Sequence, residues 1–386
     1  MGSSVEATVK ETFTSICGRT FGGQWSVVVA ALLSAVVFFL MIITPVCAAP
    51  VRVGVIAPLS GGLADYGRAL RNGFALAEQD AAKDKSKIEF LFEDSQYDGK
   101  RTLAAFNKLV ESDRCVAVFV WGSGPSEALA PVAERKRVSL FTLGEHTAAV
   151  GRPHVINFTN PAIQLSSLLA RYLRAEGRRK LALVMTDITY FQSLASTLRM
   201  SLSDDQHLTT IDTYLPSDND FRSTISKLRA GHFDSLGVFL LPGQVSQFYK
   251  QMRQQNLSLS TFGSDIFESS QEIRDAGSAI EGAVYVHHGV SEDFRHAYVA
   301  AFERDLHLPT AARGYDFARM VFQVSDSAAS EQGKHLLSKL EQLSPYHGVS
   351  GAARFVNDPQ YGKRFEFPVV VKQIRGGKSV VIAESK

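Results

Sequence analysis

The 386 residues carry 41 Lys and Arg against 39 Asp and Glu, a formal net charge of +2. A balance this even gives no electrostatic ground for nucleic-acid binding, and no basic run interleaved with aromatics occurs. The three cysteines, Cys17, Cys47 and Cys115, are too scattered for a disulfide scaffold or a cysteine zinc site.

The first fifty residues are a different polymer from the rest. Between Trp25 and Val46 no side chain is charged, and Val, Ala, Leu, Phe, Ile and Met fill nearly every place. Pro45 ends the run, and Val46-Cys47-Ala48 offers small residues for cleavage ahead of Ala49, so residues 1–48 read as a signal peptide. An uncleaved membrane anchor is the alternative, because the run reaches the roughly 20 residues a bilayer needs; a lipid on Cys47 is a third reading. Lys10 and Arg19 are offset by Glu6 and Glu11, so charge does not orient the segment. The chain beyond Ala48 exceeds one ordinary core of about 100 to 200 residues, which predicts two domains. Cys115 is then the one cysteine left, and its place ahead of the apolar run Val116 to Val120 suits a buried, inert thiol.

Val51, Val53, Val55 and Ile56 make a short β-branched run ended by Pro58 and Gly61-Gly62. Beyond it Ala69, Leu70, Gly73, Phe74 and Ala77 fall at helical spacing, with Arg68, Arg71 and Glu78 on the other face. Such a strand-turn-helix unit leaves unpaired backbone N–H groups at the helix start, a natural place for an anion. The glycines at 61, 62 and 67 lack the G-x-G-x-x-G spacing of a dinucleotide site. Alternation continues: strands at 88–92, 116–120, 138–143 and 181–185, with helices at 103–110, 128–135 and 163–176. A second series runs through strands at 210–214, 236–241 and 283–287 and helices at 221–230 and 245–254. Two parallel sheets flanked by helices are implied, an α/β architecture of two Rossmann-like lobes. The tail breaks the pattern, with helices at 294–306 and 315–329 and strands at 369–374 and 380–382.

Catalytic patterns are missing. There is no G-x-S-x-G, no H-E-x-x-H and no P-loop, and Asp94 and Asp98 share a turn without a chemical partner in view. His287-His288 has no nearby companions of ligand type, so no metal or cofactor is expected and the chain reads as a non-enzyme.

VGVIAPLSG, the pair Tyr66-Gly67, FEDSQYD, DNDFRSTISKLRA, GYDFARMVFQ and GVSGAARFVND, in this order over about 51 to 382, resemble the leucine/isoleucine/valine-binding family. These are type I periplasmic binding proteins, the substrate carriers of ABC importers. The resemblance implies two lobes joined by three hinge crossovers and closing on an amino acid or similar small polar molecule. The lobes would be 50–158 plus 285–345 and 159–284 plus 346–386. It further implies a periplasmic or other extracytoplasmic location, with delivery of the ligand to an ABC permease in the membrane. An anchored form of the same fold would instead sense the ligand and signal to a partner protein.

Residue by residue, the resemblance gives Ser123 a bond to a ligand carboxylate beside a helix start; otherwise Ser123 caps its loop. It gives Asp265 the ligand ammonium, in which case Asp265→Ala should weaken binding more than tenfold; otherwise Asp265 caps the helix from Ser269. Tyr66 and Tyr190 are either contacts from the two lobes or core packing, and Trp121 either stacks on an extended substrate or wedges the core. After Leu140-Phe141-Thr142 the family's usual Pro and small-small-Thr segment is replaced by Leu143-Gly144-Glu145-His146. Gly144 still lets backbone approach a ligand. His146 is expected to pair with Glu145 or Asp265, to meet a ligand carboxylate, or to face solvent. In the second case affinity would weaken between about pH 6 and 8.

Overall fold

The computed structural model describes residues 50–82, 88–144, 146–303, 307–325 and 336–384. The segment 1–48, read above as signal peptide or anchor, lies outside the described residues, as does Glu145. No described helix is long and apolar enough to cross a membrane.

Strands and helices alternate as β1 (Val51–Ala57), α1 (Ala64–Ala81), β2 (Ile88–Asp94), α2 (Gly99–Asn107), β3 (Ala117–Trp121), α3 (Ser123–Lys136), β4 (Ser139–Leu143) and β5 (Val155–Asn157). The second series is α4 (Ala162–Ala175), β6 (Lys180–Thr186), α5 (Thr189–Ser201), β7 (His207–Tyr214), α6 (Arg222–Ala230), β8 (Ser235–Phe239), α7 (Gln244–Gln254), β9 (Thr261–Gly263), α8 (Ser270–Ala276) and β10 (Val284–His288). Three helices come next, α9 (Glu292–Phe302), α10 (Leu308–Ser325) and α11 (Leu336–Gln342). The chain ends in β11 (Tyr346–Gly348), β12 (Gly351–Asp358), β13 (Gly362–Glu366), β14 (Val369–Arg375) and β15 (Lys378–Glu384).

Two sheets result, ordered β11-β12-β13-β5-β4-β3-β1-β2 and β15-β14-β10-β9-β8-β6-β7. The β1–β5 and β6–β10 series are parallel, since every return passes through a helix or loop on a sheet face, while β11–β12–β13 and β10–β14–β15 pair antiparallel. Two lobes of the expected type are therefore present, and three crossings join them. The boundaries need correction. β10 pairs with β9, so the second crossing follows His288 and not residue 285. The third falls at Phe367-Pro368 and not at 345–346, because β13 pairs in parallel with β5 at Arg364 and Asn157 and carries the β11–β13 strands into the first sheet.

The crossings are tied to one another. The Asn160 side chain donates to the Phe367 carbonyl at 2.8 Å and accepts from the Phe367 amide at 3.0 Å. His288, on the second crossing, meets Thr159 of the first at 3.5 Å.

Each lobe has its own core. Phe74, Phe119, Phe158 and Phe317, all fully buried, pack edge-on and tilted in the first. Phe191, Phe239, Phe248 and Phe262 belong to the second. Helices α1 and α10 approach closely across Gly73 and Gly314: a Cβ at Gly73 would overlap the Ala311 carbonyl, and one at Gly314 would lie 2.8 Å from the Leu70 carbonyl oxygen. Cys115 is buried as expected, and desolvation with nearby Asp113 pushes its thiol up to about 12. In the second lobe the Lys372 ammonium sits 2.9 and 2.8 Å from the two Glu268 oxygens, both side chains being buried, and the Tyr285 hydroxyl donates to the same carboxylate.

Candidate functional site

A cavity of about 470 Å³ opens between the lobes, bounded by segments that follow the carboxyl ends of β1, β3, β4, β6, β8, β9 and β10. Open parallel α/β sheets bind ligands in that place. Six of the seven residues singled out from the sequence line it: Tyr66, Trp121, Ser123, Gly144, Tyr190 and Asp265.

The first lobe supplies an aromatic wall. Asp94 ends β2 and fastens the turn after β1, its carboxylate accepting from the Leu59 and Gln96 amides at 2.8 and 2.9 Å and from the Ser60 hydroxyl at 2.6 Å. Burial pushes this carboxyl up, but those bonds outweigh it and hold it below its ordinary value. Gln96 and Tyr97 follow in the left-handed region, φ 47° and 60°, an uncommon conformation for residues with side chains. The turn lays the Tyr97 ring over Gly122, just ahead of the start of α3. From there Tyr97 meets Trp121 edge-on at 5.8 Å, Trp121 meets Tyr66 at 4.9 Å, and Tyr66 stacks on His307 at 3.7 Å. The buried Tyr66 hydroxyl has no hydrogen-bond partner among the described residues. Gly144 is required by contact, since a Cβ there would lie 2.5 Å from the Ser123 nitrogen.

His146 is buried and does not line the cavity, which corrects the Asp265, ligand and solvent roles considered for it; a pairing with Glu145 lies outside the described residues. Its Nδ1 accepts from the Ala148 amide at 3.2 Å, which leaves the proton on Nε2 to be donated to Thr142 Oγ1 at 2.8 Å, and Thr142 donates to Asn157 Oδ1 at 2.7 Å. The ring is buried and ties the Ala148 amide to Thr142 on β4, which in turn reaches Asn157 on β5. Desolvation, helped by Arg152, pushes its pKa down to about 4. With the folded value below the ordinary 6.5, His146 favours the fold above pH 6.5 and opposes it progressively as pH falls toward 4. His146→Phe should therefore cost about 1–3 kcal/mol in urea unfolding at pH 7 by leaving Thr142 without its donor. Solute affinity in that variant should depend on pH between 6 and 8 as it does in the parent chain.

The second lobe brings Tyr190, at the start of α5, whose hydroxyl donates to Asp265 Oδ1 at 2.7 Å. Asp265 is partly open to the cavity, and desolvation by its walls pushes the carboxyl up to about 6 against that hydrogen bond. The capping role considered for Asp265 belongs to Ser269, whose side chain accepts from the Glu272 amide at 3.3 Å.

Arg313, His287 and His288 also line the cavity, and sequence reasoning missed them as a group. Arg313 stands 1 % exposed on α10 with its guanidinium carbon 3.2 Å from the centre of the Phe367 ring. None of its three nitrogens makes a hydrogen bond to a described residue. Burial lowers it to about 9, with Asp316 opposing. Asp316 itself accepts from the Val349 and Ser350 amides at 2.8 and 2.9 Å. Burial holds both histidines down, His287 at about 3, with the Arg313 charge contributing at each. Among the described residues no group of three His, Cys, Asp or Glu side chains is placed to hold a metal.

Residues 50–378 match a family model described as periplasmic binding protein. No curated protein matches the chain by sequence. A leucine-binding protein from Thermotoga maritima shares the fold with a TM-score of 0.77 at 18 % identity, over 86 % of this chain and 98 % of its own. A branched-chain amino acid transporter substrate-binding protein from Streptococcus pneumoniae, in complex with isoleucine, gives 0.76 at 20 % over 86 % and 99 %. An ABC transporter solute-binding protein from R. palustris, in complex with benzoate, gives 0.74 at 18 % over 87 % and 96 %.

Proposed function

Because the chain belongs to the periplasmic binding protein family, we propose that it is the extracytoplasmic solute-binding component of an ABC importer, capturing a small organic carboxylate between its lobes and passing it to a membrane permease. The observation that carries this reading is the cavity walled from both lobes, with Tyr66 and Trp121 on one side and Tyr190 and Asp265 on the other. A volume of about 470 Å³ lies within the range of small-molecule sites, roughly 300–1,000 Å³. Isoleucine and benzoate, the solutes of two proteins of like fold, are both small carboxylates. A solute touching both walls stabilises the closed arrangement in proportion to its differential contacts, with no bond made or broken.

The test is a thermal-shift screen of small carboxylates against residues 49–386, followed by solution scattering. A true solute at 100 times its Kd should stabilise the protein by about 2.7 kcal/mol and contract its scattering profile. A panel in which nothing stabilises the chain, or in which stabilisation leaves the profile unchanged, would remove the reading.

A further inference from the structure

We propose that the cavity selects an aromatic monocarboxylate, whose anionic end is held by Arg313 and not by the helix start at Ser123. The inference rests on the cavity being a solute site and adds the class of solute. A guanidinium is always charged and carries five N–H donors, so burying one without an acceptor is costly. Arg313 is in that condition, 1 % exposed, bonded to none of the described residues, and directed into the cavity. Its neighbour in charge, Asp316, attracts it without bonding to it, the Asp316 oxygens accepting instead from the Val349 and Ser350 amides. A carboxylate delivered by the solute supplies the missing acceptors, two at once, in the geometry the guanidinium fork fits.

The competing anchor is crowded. The left-handed Gln96-Tyr97 turn lays the Tyr97 ring against Gly122, directly ahead of the first residues of α3. An α-amino acid fits poorly for a second reason. Its ammonium and carboxylate share one carbon, so it needs an acceptor for the first immediately beside the donor for the second. The carboxylate of the cavity wall, Asp265, is bonded by Tyr190, and the charge that acts on Arg313 is that of Asp316. The same cavity that Arg313 lines offers flat aromatic faces from Trp121 and Tyr66.

Calorimetry on the full exported chain with benzoate, 4-hydroxybenzoate and phenylacetate, against benzamide, L-leucine and L-phenylalanine, tests this. At least one of the acids should bind, and benzamide, which keeps the ring and loses the charge, should bind about 100-fold more weakly than benzoate. Arg313→Gln should weaken acid binding to a similar degree while leaving the ligand-free protein as stable as the parent or more so, because an unpaired buried charge has gone. If that variant does not fold, the benzoate and benzamide comparison in the parent chain decides alone. Equal binding of acid and amide, undiminished acid binding by Arg313→Gln, or binding of the amino acids in place of the acids would overturn the assignment to Arg313 while leaving the solute site intact. Failure of every compound, here and in the wider screen, would remove both.

Discussion

Lys372→Met should destabilise the fold by about 3–5 kcal/mol at pH 7. Glu268 and Lys372 form a buried pair, and the Tyr285 hydroxyl shares the carboxylate, so removing the ammonium leaves an anion in the second lobe's core without a counter-charge. The dependence on pH distinguishes this cause from lost packing. Burial alone would raise the Glu268 carboxyl, but Lys372, with His287 and the hydrogen bonds, holds it down at about 2 against an ordinary 4.5. A folded value below the unfolded one gives stability that is present above pH 4.5 and is lost as pH falls through about 2. Without Lys372 the burial contribution remains, the folded value rises above 4.5, and protonation then favours the fold. The gap between variant and parent should therefore narrow as urea unfolding is repeated from pH 7 down to pH 4. Combining Lys372→Met with Glu268→Leu should recover most of the loss, since a buried pair replaced by apolar groups is often neutral. A gap that stays constant with pH, or a double variant no better than the single one, would show that the pair matters only as volume.

Gly73→Ala is the second large effect, expected at about 1–3 kcal/mol of destabilisation even though alanine is the better helix former by roughly 1 kcal/mol. The collision is between backbones: the added methyl meets the Ala311 carbonyl on α10, which cannot rotate aside as a side chain would. Overlap therefore outweighs propensity. Gly73→Leu should yield no folded protein. Gly99→Ala is the matched control, because a Cβ there meets nothing within 4 Å, and it should leave the melting temperature level or slightly raised. A Gly73→Ala protein as stable as the parent would mean that the two helices have room to part.

The β-branched runs that make β1, β3, β4, β6 and β8 were legible because each is a short apolar stretch bounded by glycine, proline or charge. β5 and β9, with three residues each, fall below the length at which a pattern exists. The β11–β13 strands show no clean alternation of apolar and polar side chains and join the first sheet only through the β13 pairing to β5, a contact remote in sequence. The third crossing was misplaced for that reason. Cavity residues at the end of a legible strand, such as Trp121 and Gly144, could be placed once the strands were, whereas Asp265, after the short β9, was placed by the family resemblance. Tyr97 was passed over because nothing in FEDSQYD announces two consecutive left-handed residues. Nothing in the sequence around Arg313 marks it as buried; only the packing of α10 against Phe367 shows it so. His146 failed in the opposite sense. A histidine beside a glycine in a loop looks available, yet two hydrogen bonds turn it inward.

The two hydrogen bonds between Asn160 and Phe367 knot the first crossing to the third, so lobes that swing as proposed would bend the linking segments about a fixed point. Arg313 rests on the ring of that same Phe367 and so lies near the axle, where displacement on closing is smallest. A guest seated there as proposed would keep its charged end almost stationary from arrival to capture, while the far wall travelled to enclose the rest.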